Sequence, residues 1–218
     1  EIAQCLVGSE MCIRDRLCMN SWGTGFGDGG YFWVSYYDSN VGIYNAAYTK
    51  IENTDNYDRI YQSDKCGWVG QLGYNKDSIY GANVFTAEGN ETLKAASFYA
   101  TGKDSQYELY VVRQFEDETS LEKMIPVASG KLGNAGYYTV DFNQGIEVDA
   151  GERYAVVLYI ITPGSVHPMA IEYAADEATE NVDLDDGESY ISANGSKWVS
   201  VDTVEKSNLC IKAFSDNR

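Results

Sequence analysis

The sequence predicts a mainly β protein whose larger part, residues 51–218, folds as an antiparallel β-sandwich or jelly roll. Three observations lead to this fold class: short apolar–polar alternations recur along that part, Gly, Asn and Asp separate them, and helical periodicity is weak. A series of short strands with regular turn signals is typical of sandwiches and jelly rolls. Hydrophobic residues make up 44% of the 218 residues, which is enough to build a buried core.

The strand pattern is clearest near the end of the chain. There Leu209, Ile211 and Ala213 share one face, and Lys212 points to the other, as the period of two in a strand requires. A helical segment of one or two turns is expected over Glu118–Met124. The predicted strands are Tyr31–Tyr37, Ala82–Thr86, Leu93–Ala100, Gln106–Arg113, Gly136–Phe142, Arg153–Ile161, Met169–Tyr173, Ser189–Ile191 and Leu209–Phe214.

Three segments divide the chain. Residues 1–19 contain the run Val7–Arg16, which resembles a translated sequencing adapter, and their sequence shows no periodicity that continues into residue 20 and beyond. We interpret this leader as non-native, with a divergent natural leader as the alternative. Residues 20–50 hold a glycine-rich stretch, one aromatic strand and a polar exit over Asp38–Asn45, and residues 51–218 form the sandwich. No initiator Met or signal peptide is visible, so we expect a chain without its own beginning.

The acidic balance argues against several classes of partner. A net charge of −17 does not suit nucleic acid, whose phosphates need clustered Lys and Arg, or an anionic membrane surface. No apolar run approaches the roughly 20 residues that span a bilayer, so we expect no membrane insertion. The acidic run Asn181–Glu188 lacks the spacing of an EF-hand, and a solvated loop without metal is expected. No cofactor is expected either.

The residues that carry chemistry open the second segment as Asn20-Ser-Trp-Gly-Thr-Gly-Phe-Gly-Asp-Gly-Gly-Tyr31. This stretch resembles the active-site asparagine region of papain-like cysteine peptidases. The pattern of that family is Asn-Ser-Trp-Gly, two residues, an aromatic, Gly, two residues, Gly and Tyr, and Phe26 stands where the family usually has Trp. The resemblance implies that residues 20–50 are a C-terminal remnant of the β half of a papain-like fold.

In such peptidases a Cys thiolate attacks the peptide carbonyl while a His holds the proton, and an Asn carbonyl fixes the imidazole. The resemblance assigns the orienting role to Asn20 and the shielding of the Asn–His bond to Trp22. The family places its Cys well upstream of the Asn and its His shortly before it, and neither residue stands there in this chain. The single histidine, His167, is interpreted as a loop residue. The cysteines rejected as nucleophiles are Cys5, Cys12 and Cys18.

We therefore predict that this chain has no peptidase activity, and that a peptide or protein substrate belongs to its parent enzyme. An orienting residue without nucleophile or base leaves at most residual binding.

Short motifs recur along residues 51–218, and they are Tyr57–Asp64, Gly67–Trp68, Tyr80–Thr86, Gly136–Val140, Ile171–Glu172, Glu188–Ser192 with Trp198, and Cys210–Phe214. In these stretches the segment resembles the lectin-like domain located after the peptidase domain in some bacterial and archaeal surface cysteine peptidases. The resemblance implies a sandwich fold, an extracellular or cell-surface location and a possible cell-surface carbohydrate partner. Trp68 and Trp198 are the candidates for a sugar-stacking platform, and packing in the core or a domain interface is the alternative role.

Three functions stay open at this point. The chain is part of an extracellular cysteine peptidase with an accessory β domain, a carbohydrate-binding or adhesion module, or a structural domain that binds nothing. Cys66 and Cys210 are either a disulfide pair or two free thiols.

Overall fold

The computed structural model describes residues 15–40, 46–49, 51–185 and 188–218. It contains two compact units, Glu1–Glu52 and Asn53–Arg218. Most of the leader and part of the predicted polar exit therefore lie outside the described residues. No α-helix is present in the described ranges, and none of their helical segments is long and apolar enough to cross a membrane.

The first unit contains a β-hairpin. Strand β1, Asp15–Met19, pairs antiparallel with β2, Tyr31–Ser35, in a register that sets Met19 opposite Tyr31. Strand β2 ends two residues earlier than predicted. The sequence of β1 shows no clear alternation, and pairing with the aromatic β2 makes it a strand. Tertiary context commonly decides such a segment, because β-propensity depends on the partner strand.

The second unit is an antiparallel β-sandwich, as predicted. Its strands are β3 (Arg59–Tyr61), β4 (Gly70–Leu72), β5 (Ser78–Thr86), β6 (Glu91–Ala100), β7 (Ser105–Val112), β8 (Ile125–Leu132), β9 (Gly136–Val148), β10 (Arg153–Ile161), β11 (Met169–Glu172), β12 (Glu188–Ser192), β13 (Val199–Ser200), β14 (Asn208–Leu209) and β15 (Ile211–Asn217). Two 3-10 helices, Glu118–Glu122 and Val201–Thr203, complete it. The first of them confirms the helical segment expected near Glu118.

The strands form three sheets in the second unit. A six-stranded sheet has the order β13-β12-β5-β10-β7-β8, a four-stranded sheet has the order β3-β15-β6-β9, and a three-stranded sheet has the order β14-β11-β4. The main core contains side chains from all three sheets, which include Leu158, Phe98 and Met169. Each of these is at most 2% exposed, so the interior is closed to water. The layers are those of a sandwich.

A smaller apolar cluster covers the opposite face of the six-stranded sheet. Ala82 and Val157 on the sheet pack there with Phe115 and Leu121 from the segment that holds the first 3-10 helix. Asp117 caps that helix, because its side chain accepts a hydrogen bond from the backbone N–H of Thr119 at 3.0 Å. The sheet is therefore buried on both faces along part of its length.

Strand β8 was not predicted, and Pro126 and Gly130 explain why. Proline cannot donate to a β ladder and is confined to edge strands or bulges, and glycine weakens strand propensity. Strand β8 is an edge strand, and its register with β7 shifts between Leu109 and Tyr110, next to the position that faces Pro126. The rules for proline hold here, but its location at an edge is visible only in the sheet order.

Candidate functional site

The glycine-rich loop between β1 and β2 fixes the side chain of Asn20 through hydrogen bonds to both its amide nitrogen and its amide oxygen. The backbone N–H of Asn20 and its side-chain Nδ2 both donate to Gly30 O, at 2.9 and 2.8 Å. Its Oδ1 accepts a hydrogen bond from the backbone N–H of Trp22 at 2.6 Å. These bonds distinguish the oxygen from the nitrogen and orient the side-chain carbonyl, which still has a second lone pair for another donor.

Glycine is required in this loop for steric reasons. A Cβ at Gly27 would lie 2.2 Å from Tyr31 O, and Gly27 has a φ of +62°. Gly30 has a φ of +97°, and a Cβ there would lie 3.3 Å from Gly23 O. The chain therefore folds back tightly beneath Asn20 because these positions carry no side chain.

Trp22 lies at the surface of the loop. Its side chain is 76% exposed, and its ring meets Phe26 edge-on at 5.0 Å between centroids. Phe26 in turn meets Phe32 at 5.8 Å. Phe26 thus supports Trp22 from the slot where the papain-like pattern usually has tryptophan.

His167 and Cys18 belong to different units of the chain. His167 belongs to the second unit, where its Nε2 is 3.4 Å from Asn75 Oδ1. Cys18 is a free, half-buried residue of β1. Of these three candidates, Asn20 is the one whose side chain is fixed by hydrogen bonds on both amide atoms.

Trp68 and Trp198 pack on different sheets. Trp68 is 36% exposed and packs at 5.8 Å from Tyr99 of β6, which in turn lies 5.0 Å from Tyr137 of β9. Trp198 is half-buried and packs on the small cluster beneath the six-stranded sheet, edge-on to Tyr80 at 6.2 Å. The two rings therefore do not form one platform.

A polar cluster between distant parts of the sequence was not predicted. Asp64 and Glu172 are fully buried. Lys212 Nζ lies 3.2 Å from Asp64 Oδ2, while Glu172 Oε1 accepts a hydrogen bond from the backbone N–H of Cys66 at 2.5 Å. Asn208 Nδ2 donates to Glu172 Oε2 at 3.1 Å. No local motif signals this cluster, because its pairs join residues as far as 148 positions apart.

Burial is the main cause of the raised pKa of the Asp64 carboxyl in that cluster, and the charge of Lys212 opposes it. Burial likewise raises the pKa of the Cys210 thiol, and a hydrogen bond to Glu172 raises the pKa of Cys66. Both cysteines are free, Cys66 exposed and Cys210 buried, so the structure selects the free-thiol alternative. Neither thiol has the lowered pKa of a reactive nucleophile.

No group of three or more His, Cys, Asp or Glu side chains able to hold a metal ion occurs in the ranges that the structure describes. The acidic run Asn181–Glu188 is only partly within them, since residues 186 and 187 are outside.

Comparison with known proteins identifies the second unit. A family model described as a lectin-like domain matches residues 60–215, more than half of the chain. A structure of the clostridial cysteine protease Cwp84 after propeptide cleavage matches 94% of this chain and 52% of that chain, with 24% identity and a TM-score of 0.74. A structure of the cysteine protease and lectin-like domains of Cwp84, described as a surface layer associated protein of Clostridium difficile, matches 94% of this chain and 46% of that chain, with 24% identity and a TM-score of 0.70.

This chain spans about half the length of those two structures. At this identity the likeness establishes the fold. No curated protein matches the chain.

Proposed function

The chain belongs to the lectin-like domain family, and from this premise we propose that it is the C-terminal part of a papain-like cysteine peptidase in which the sandwich is an accessory domain. The observation that carries the proposal is the Asn20 loop. Its sequence matches the peptidase pattern over a dozen positions, and its hydrogen bonds to Gly30 and Trp22 orient the asparagine carbonyl.

In the parent enzyme, Asn20 accepts a hydrogen bond from the far ring nitrogen of the catalytic His. That bond presents the correct face of the imidazole to the Cys sulfur, which attacks the peptide carbonyl. Trp22 covers the Asn–His bond, and the lower local dielectric strengthens it. The 76% exposure of Trp22 is consistent with a ring that is covered in the complete enzyme.

The same proposal includes a location at the cell surface or outside the cell. One of the matched structures is of a surface layer associated protein, and an acidic chain with a net charge of −17 suits a soluble, exported domain. The substrate of the parent is a peptide or protein.

Sequencing the genomic DNA upstream of the Asn20 codon tests the proposal. We expect the same reading frame to encode a Cys and, shortly before Asn20, a His, with natural sequence in place of the adapter-like run. A frame that lacks both residues overturns the proposal. Genomic DNA that encodes Val7–Arg16 without interruption overturns the interpretation of the leader.

A second function of the sandwich is carbohydrate binding. The observation that favours it is the presence of partly exposed aromatic rings on the outer faces of both large sheets, as at Trp68 and Tyr159. Aromatic faces accept the apolar side of a sugar ring, while their polar surroundings bond its hydroxyls. A glycan array probed with the full chain tests this function, and silence on every glycan argues for a structural role instead.

A further inference from the structure

On the outer face of the six-stranded sheet, the pairing of four neighbouring strands aligns four side chains in one row. Glu108 of β7 lies opposite Ser129 of β8 on one side and Tyr159 of β10 on the other, and Tyr159 lies opposite Tyr80 of β5. Directly opposed residues point to the same face of a sheet. These four side chains therefore form one line across four neighbouring strands.

Tyr159 and Tyr80 are a stacked pair. Their ring centroids are 4.2 Å apart and their planes differ by 21°. Tyr80 is held from behind by Gly195, where a Cβ would lie 3.2 Å from the ring, and from the edge by Trp198 at 6.2 Å. The pair is thus fixed before any ligand arrives, which lowers the entropic cost of binding.

A groove of about 380 Å³ opens beside this pair. This volume falls within the range of about 300–1,000 Å³ that is usual for small-molecule sites. Tyr159 and Ile161 give it an apolar wall. The polar side chains that line it are Gln106, Glu108, Ser129 and Lys131.

The polar side chains supply both donors and acceptors. Gln106 can donate and accept, Glu108 accepts, and Lys131 donates. Glu108 is oriented by Tyr110, whose hydroxyl donates to one of its carboxylate oxygens, so the other oxygen can accept from a ligand. Lys131 forms an ion pair with Asp104 at 3.4 Å. Because Asp104 offsets the charge of Lys131, Glu108 makes the net charge of the groove negative.

We propose that this groove binds a neutral saccharide, with one pyranose ring stacked on Tyr159 and its hydroxyls bonded to Glu108 and Gln106. The proposal rests on the carbohydrate-binding function named above and assigns it a site. Acidic sugars are disfavoured, because Glu108 is an anion in the groove and the whole chain carries a net charge of −17. Neither Trp68 nor Trp198 provides the stacking face.

The test uses the full chain on an array that holds neutral, sialylated and uronic-acid glycans, followed by calorimetric titration with maltotriose, cellotriose, triacetylchitotriose and the best array glycan. We expect binding to neutral glycans only. Tyr159→Ala is expected to weaken binding about tenfold or more, because the stacking face is lost. Tyr159→Phe is expected to retain it, because the ring face remains.

Two matched variants locate the site. Tyr137→Ala removes a tyrosine that is 46% exposed on the four-stranded sheet, and Trp68→Ala removes the other candidate ring. Both are expected to leave affinity unchanged, with circular dichroism melting curves to confirm that every variant is folded. Silence on the whole array overturns carbohydrate binding itself. Binding that survives Tyr159→Ala, or that Trp68→Ala abolishes, overturns this groove and leaves the binding function intact.

Discussion

Asn83, on the six-stranded sheet, connects all three sheets of the sandwich through its buried amide, and its removal gives a sharp prediction about stability. Its Nδ2 donates to Leu209 O at 2.9 Å and to Ile211 O at 2.8 Å. Its Oδ1 accepts from Ser189 Oγ at 2.7 Å. Asn83 is 1% exposed, so water cannot replace these partners. The perturbation is Asn83→Leu, which keeps the approximate volume of the side chain and removes all three bonds.

The magnitude can be worked from the three bonds. A typical intramolecular hydrogen bond contributes about 1 kcal/mol to stability, and an acceptor left buried without its donor costs about 1–3 kcal/mol. We expect Asn83→Leu to lower the free energy of unfolding by about 3–5 kcal/mol. Because domains are stable by only about 5–15 kcal/mol, this is a large fraction of the total. At about 2–4 °C per kcal/mol for a domain of this size, the melting temperature falls by roughly 10 °C.

Urea unfolding followed by tryptophan fluorescence measures the loss in the free energy of unfolding. An unchanged slope of that free energy against urea concentration shows that the folded state is intact. Ser189→Ala removes one of the three bonds and is expected to cost about 1 kcal/mol. Asn143→Ala changes an exposed asparagine of β9 and is expected to cost less than about 0.5 kcal/mol. A loss below about 1 kcal/mol for Asn83→Leu refutes the reasoning, since it means that the three bonds add nothing beyond solvation.

Three further predictions concern chemistry. The chain hydrolyses no fluorogenic peptide, and turnover that thiol alkylation abolishes contradicts this. Because burial raises the pKa of Asp64 in the folded state, its contribution to stability is present below the ordinary carboxyl pKa and is lost as pH rises through the raised value. Asp64→Asn therefore gains stability relative to the wild type as pH rises from about 4 to about 8 in urea titrations, and the opposite slope contradicts the assignment. Because Cys66 is exposed and Cys210 is buried, we expect iodoacetamide to modify Cys66 in the native chain and Cys210 only after unfolding. Mass spectrometry of the alkylated chain measures both rates, and equal rates refute their placement.

The sequence predicted most of the long strands, because their burial pattern follows the order of residues within each strand. Strand β10 has the predicted bounds, because its β-branched run is buried along most of its length. The alternation in β9 is also confirmed over its first half, where Tyr138 and Val140 are half-buried and Tyr137 and Thr139 are exposed. The shorter strands β3, β4, β13 and β14 were missed, since two or three residues carry no readable period.

The candidate sites also differ in whether their residues are neighbours in the sequence or are brought together by the fold. The Asn20 motif is contiguous, so the sequence alone identifies it. The two hydrogen bonds from Asn20 to Gly30 O are visible only in the folded hairpin. The cluster of Asp64 and Glu172, and the tyrosine pair of Tyr80 and Tyr159, join residues that only strand pairing brings together. The chain has 18 tyrosines, and no local pattern distinguishes Tyr80 and Tyr159 from the others.

The most direct measurement of the central claim is the peptidase activity of the protein encoded by the complete reading frame, compared with its Asn20→Ala and Ser21→Ala variants. If Asn20 orients the catalytic imidazole, Asn20→Ala lowers kcat by about two to four orders of magnitude. Ser21→Ala alters the neighbouring exposed residue of the same loop and leaves kcat nearly unchanged. An Asn20→Ala enzyme with the kcat of the wild type contradicts the claim.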